Sequence, residues 1–237
     1  MQLKPVLLTP QAFKEGQIVI QYPPLSVPLW ELIHKLKELH NDCELLEPMP
    51  NLNLPGAPLE PLIAFLCPKH KLVFAYIQIQ IANVKEIRAI VYFVDEKGRA
   101  TINEDWENSI KTLINYALKL WETAQNFFLK RGIKITKFGL LSKLEPLEKN
   151  IELSLKFPDF KTALEQRFIL WREKDNLEVH SFILSPVKSK EGLDYEYLLD
   201  SSLVPKTKTN FNEKELTLFA ENHLKTFKES LKEGSNV

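Results

Sequence analysis

The chain reads as an α+β protein, and three features of the sequence point there. Short runs read as strands, as at residues 72–82, where apolar and polar residues alternate with a period of two, and at 87–95. Two long stretches, 103–131 and 213–233, carry apolar residues at steps of three and four behind strong capping signals. The order strand, helix, three strands, long helix then recurs in each half of the chain. Period-two segments are half-buried strands, and period-3.6 segments are helices with one buried face. The expected architecture is therefore pseudo-duplicated, with a first half at residues 1–132 and a second at 133–237 in one compact body. A mostly antiparallel sheet would lie under the two long helices.

Residues 17–22 (QIVIQY) form the first strand, closed by Pro23 and Pro24. Ser26 is placed to cap a helix over residues 27–40, whose apolar face is Leu29, Ile33 and Leu36. Five prolines between Pro48 and Pro61 then make an extended connector. Residues 62–67 and 72–82 read as a hairpin turning at PKHK, and 87–95 as a third strand. In the second hairpin strand Tyr76, Gln78 and Gln80 share one face, with Ile77, Ile79 and Ile81 on the other. Asn103 is expected to cap the longest helix, which ends at Lys130 and Arg131 with Gly132 in the position after the last turn.

The second half opens with a strand at 133–141, a mixed stretch to Phe157 and a short helix at 158–166. A hairpin at 168–173 and 177–185 and a strand at 195–200 complete its sheet. The final helix has the clearest start in the chain. Asn212 with Glu215 makes a capping box, and Phe211 with Leu216 makes a hydrophobic staple.

Composition narrows the function classes. In 237 residues, Lys plus Arg and Asp plus Glu are both 31, so no net charge favours non-specific binding to nucleic acid or an anionic membrane. No apolar run approaches the roughly 20 residues that cross a bilayer. Only two cysteines are present, too few to staple a chain of this size, and they imply a reducing, cytoplasmic setting. With 7 glycines and no Gly-x-Gly-x-x-Gly, Walker A or Gly-x-Ser-x-Gly pattern, the usual phosphate loops and nucleophile elbows are excluded.

The segment IKITKFGLLSKL after the first long helix, and YEYLLDSSLV before the last, carry a family resemblance. Over residues 103–233 the chain resembles an uncharacterised, sporadically distributed prokaryotic protein family. The family's strand ending in Asp and its helical His correspond to Leu199, Asp200 and His223, whereas Lys137 replaces the family's usual Arg. The resemblance implies a fold and a mobile-element or defence setting, and no activity.

The best local chemical signal is His40-x-x-Cys43 with Cys67-Pro-Lys-His70. Two ligand pairs of that spacing can close a tetrahedral zinc site, which here would be structural and pin the Pro-rich connector. The plainer alternative makes the cysteines small apolar fillers and the histidines solvated. A metal-dependent nuclease core would need paired carboxylates on its second and third strands. Those strands offer Gln78, Gln80 and Arg88, and neutral amides cannot replace anionic ligands for a hard cation. Asp194, Glu196 and Asp200 alternate on one strand face, as a charged edge strand does. Lysines 134, 137, 206 and 208 lack interleaved aromatics that would stack on single strands. The resulting expectation is a non-catalytic binding or adaptor protein. Its contact surface would be a solvent-facing sheet surface bearing Tyr76, Gln78 and Gln80, with another protein as partner. The alternative is a nucleic-acid-binding accessory protein with a nuclease-like fold that lacks the catalytic metal site.

Overall fold

The computed structural model describes residues 11–46, 59–146, 165–172, 176–189, 192–205 and 211–234. The fold is α+β. In chain order the elements are β1 (Gln11–Tyr22), α1 (Leu29–Leu39), β2 (Glu44–Leu45), β3 (Leu59–Cys67), β4 (Leu72–Ile81) and β5 (Val84–Val94). β6 (Ala100–Thr101) and α2 (Trp106–Leu129) follow, then β7 (Lys137–Pro146), β8 (Glu165–Arg172), β9 (Asn176–Ser189), β10 (Gly192–Pro205) and α3 (Glu213–Gly234). The described strands join one sheet in the order β2-β3-β4-β5-β1-β7-β10-β9-β8, with β6 paired to β5. Every pairing among the described strands is antiparallel.

β1 and β7 meet near the centre of this sheet, paired from Gln11↔Pro146 to Gln21↔Lys137. α2 packs on β1 and β7, and α3 on β9 and β10. Close approach of α2 depends on Gly16, where an added Cβ would lie 2.7 Å from both Leu113 methyls. The helix side of the sheet carries the main core, including Phe13, Ile18, Ile20, Phe74, Phe138 and Leu199 against Leu113, Trp121 and Phe219. A second cluster of Ala64, Ala75, Ile77, Ile79 and Ile90 lies on the opposite side of the β3–β5 meander.

The caps separate what local sequence can decide from what pairing overrides. At α3 the capping box forms as expected: Asn212 N–H donates to Glu215 Oε2 at 2.9 Å, and Glu215 N–H to Asn212 Oδ1 at 2.9 Å. At the end of α2, Ile133 N–H reaches Phe128 O and Gly132 N–H reaches Leu129 O, both at 3.0 Å. Gly132 sits at φ +65° in this closure. The start of α2 differs, because Asn103 exchanges backbone bonds with Phe13 and is held out of the helix. Asp105 is the cap instead, accepting from Asn108 N–H at 3.1 Å. α1 begins at Leu29 after Pro28 with no side-chain cap, so Ser26 does not serve.

Several boundaries also move. β1 begins at Gln11 rather than 17, with a bulge between Phe13 and Glu15. β7 starts at Lys137, because residues 133–136 carry the chain from the α2 terminus back to the Gln21 end of β1, where Thr136 N–H reaches Gln21 O. β10 runs from Gly192 to Pro205, longer than 195–200, since its full length pairs with β9. Most of the Pro-rich connector, the mixed stretch after Pro146 and most of the expected 158–166 helix lie outside the described residues. Residues 165 and 166 belong to β8.

Candidate functional site

α2 and α3 run antiparallel, with Trp106 against Phe227 at one end and Trp121 against Phe211 at the other (ring centroids 5.0 and 5.3 Å). Between them lies a surface cleft of about 580 Å³. Its apolar floor includes Ile114, Leu118 and Leu224, and it continues past Thr217 towards Gln125 and Glu213. Leu118 and Leu224 are half-buried, so the floor is open to contact. The rims carry both signs. Lys111 and Lys228 both pair with Glu107 at 2.9 and 2.5 Å, and Lys225 faces Glu229 at 3.8 Å.

Under α3 lies a buried chain of hydrogen bonds that the sequence reading missed. Glu178 Oε1, His180 Nε2 and Nδ1, Ser201 Oγ, His223 Nδ1 and Nε2, and Ser142 Oγ follow one another at 2.7, 2.6, 2.7 and 2.9 Å. With the Glu178 carboxylate as acceptor, one proton arrangement satisfies every partner along the chain. His180 Nε2–H donates to the carboxylate, so Nδ1 accepts from Ser201. The Ser201 oxygen then accepts from His223 Nδ1–H, and His223 Nε2 accepts from Ser142. Burial opposes ionisation of Glu178, but hydrogen bonds from His180 and Asn222 outweigh it and hold the carboxyl below its usual range. Burial pushes His223 down to about 3. Ser142, His180, Ser201 and His223 are each 0% exposed. A nucleophile, base and acid are thus aligned where no substrate reaches them, and the array ties α3 to β7, β9 and β10. Glu178 and His180, two apart on one strand face, were the available sequence signal.

The expected zinc cluster is partly assembled. His40 Nδ1 lies 3.9 Å from the sulfurs of both Cys43 and Cys67, and these three ligand atoms lie within 4.8 Å of one another. His70 is not among them; it is exposed in the 3-10 turn Pro68–His70. The cysteines are joined as a disulfide, with Cα atoms 4.3 Å apart. This corrects two expectations: the cysteines are not unpaired fillers, and the pair does staple the chain, so their number is no sign of a reducing setting. The reason is register: Glu44 pairs with Leu66, so Cys43 and Cys67 face each other one step along the same ladder. His40 is no solvated residue either. It is 2% exposed, packs against Phe65, Phe74 and Tyr116, and has its Nε2 2.7 Å from the Tyr76 hydroxyl. Burial lowers its pKa to about 4.

The proposed recognition face also needs correction. Tyr76, Gln78 and Gln80 do share a face, but it is the one turned towards the helices. Tyr76 is 1% and Gln78 6% exposed, leaving only Gln80 of the three at the surface. Alternation gives membership of a face, and packing decides which face is covered. On the opposite side of the sheet, Gln21, Glu86, Arg88, Gln17, Glu15 and Lys143 form a continuous polar chain. Asp200 is on that side, its carboxyl raised by burial despite Lys137 and Arg88 nearby. Glu196 pairs with Lys14 at 3.2 Å. The Asp194 side chain, Lys206 and Lys208 lie outside the described residues.

No family model and no curated protein matches the chain. Among solved structures it is similar to DynU16, described as a putative protein in the dynemicin biosynthetic locus. That alignment covers 92% of this chain and 97% of DynU16 at 8% identity and a TM-score of 0.23, a likeness that carries no argument. No helix among the described residues is long and apolar enough to cross a membrane.

Proposed function

We propose that the protein is a non-catalytic binding protein that holds an amphipathic segment of another protein in the cleft between α2 and α3. The cleft is the observation that carries this reading. Its half-buried Leu118 and Leu224 offer apolar area that two antiparallel helices leave uncovered. From Lys111 to Gln125 it is about 20 Å long at 1.5 Å per helical residue, enough for three to four turns of a docked helix. Mixed-sign rims suit a partner carrying both charges. A nucleic-acid grip would instead need lysines reaching for phosphates, and Lys111, Lys225 and Lys228 face glutamates.

The reading extends to a duplicated origin. The strand order β3-β4-β5-β1 is mirrored by β8-β9-β10-β7 about the central pair, and α2 answers to α3. The cleft then lies where the two halves, 1–132 and 133–237, meet, and neither half forms it alone. The resemblance to the sporadically distributed family suggests a partner from a mobile-element or defence setting.

A photo-crosslinking residue at Asn115, on the cleft, tests the proposal against the same residue at Lys35 on the exposed side of α1. Adducts to a protein of one discrete mass from Asn115 only, lost on Leu224→Glu with an unchanged melting temperature, are the expected result. Equal adducts from both positions, or adducts removed by nuclease, would reject it.

A further inference from the structure

We infer that the Cys43–Cys67 disulfide masks a latent metal centre, in which the reduced cysteines and His40 Nδ1 form a three-ligand site for a zinc-class divalent ion. The geometry is close to what such an ion requires. With Zn–S near 2.3 Å and Zn–N near 2.05 Å, tetrahedral angles place sulfur and nitrogen about 3.6 Å apart. Both sulfurs already lie 3.9 Å from His40 Nδ1. Once the bond between them is broken, the sulfurs need only separate to about 3.8 Å, by side-chain rotation.

The surroundings prepare His40 for this role. Tyr76 lies 2.7 Å from Nε2, and an Nε2–H donated to its hydroxyl leaves the Nδ1 lone pair facing the sulfurs. The packed rings of Phe65, Phe74 and Tyr116 fix the imidazole plane. Two thiolates and a neutral imidazole make an uncharged complex with a divalent ion, as a buried site demands. Sulfur and nitrogen donors select zinc-like ions over magnesium or calcium. Cys43 is half-buried, while Cys67 and His40 are each 2% exposed, so Cys43 is the side of the cluster nearest solvent.

Exchange is chemically balanced with a cellular dithiol as reductant. Its thiolate attacks the sulfur of Cys43, the less buried of the two cysteines, and Cys67 leaves as a thiolate and takes up a proton. The second reductant thiol then resolves the mixed disulfide, so two electrons and two protons reach the protein and the reductant departs as its own disulfide. Metal binding releases those two protons as both thiols ionise.

The test titrates Co²⁺ alone into oxidised and into pre-reduced full-length protein, reading the visible bands of thiolate-bound tetrahedral cobalt. One equivalent bound by the reduced form only is expected, with uptake displaced by Zn²⁺. Tyr76→Phe keeps the ring and should weaken binding at least tenfold, whereas His70→Ala should leave it unchanged. Tyr76→Phe is checked by near-ultraviolet circular dichroism, so a lost fold is not mistaken for a lost ligand. Absence of cobalt bands in folded, reduced protein would overturn the inference. So would equal binding by the oxidised form, or affinity lost with His70→Ala.

Discussion

His40 and His223 are both buried where a charge is expensive, and that sets how the protein responds to acid. Burial holds His40 at about 4 and His223 at about 3, against 6.5 when exposed. The unfolded chain therefore binds protons that the folded chain refuses. Their contribution to stability is complete above pH 6.5 and is lost as pH falls from there, towards about 4 for His40 and about 3 for His223. Each histidine should add a slope of roughly 1.4 kcal/mol per pH unit in that window. Urea unfolding at pH 7.5, 6.0 and 5.0 measures the slope, and His223→Gln should remove about half of it. Ser201→Ala deletes the hydroxyl that bonds both buried imidazoles. The expected loss is about 1–3 kcal/mol, read from the same unfolding curves at pH 7.5.

At the scale of elements, the contact between α2 and the sheet turns on one missing side chain. Gly16→Ala drives a methyl into Leu113, which is itself 1% exposed and has little room to move. Overpacking of this kind costs about 1–3 kcal/mol. Pairing it with Leu113→Ala should cost less than the sum of the two single changes, a coupling that a double-mutant cycle measures. The start of the same helix distinguishes two readings of the cap. Asp105→Ala should lose about 1 kcal/mol, because Asp105 accepts the Asn108 N–H.

For the whole molecule, the disulfide closes a loop over a sequence separation of 24 residues, which includes the Pro-rich connector. Reduction without added metal should lower stability by about 3 kcal/mol. At about 2–4 °C per kcal/mol for a chain of this size, that fall is visible by scanning calorimetry. The central β1–β7 ladder makes each half the other's edge protection. Expressed alone, residues 1–132 or 133–237 would expose a long unpaired strand beside an uncovered apolar face. Each fragment should be insoluble, and co-expression should recover a soluble pair by size-exclusion chromatography.

The α+β class, the two long helices, the α3 capping box and the Gly132 stop were legible in the sequence. Each rests on interactions within a few residues, where spacing and side-chain type are sufficient. The Asn103 cap failed because a distant partner, Phe13, claimed its backbone groups. The shared face of Tyr76, Gln78 and Gln80 was visible from alternation, but its burial depended on where α1 and α2 settled. Glu178, His180, Ser201, His223 and Ser142 come from three strands and a helix, and no local pattern joins them. Cys43 and Cys67 were visible as candidates for one site, yet their opposition required the β2–β3 register. Sequence alone determined the periodic elements, because periodicity is written in neighbouring residues. Tertiary structure decided the cleft, the buried polar chain and the disulfide, because each depends on which distant strands and helices pack together.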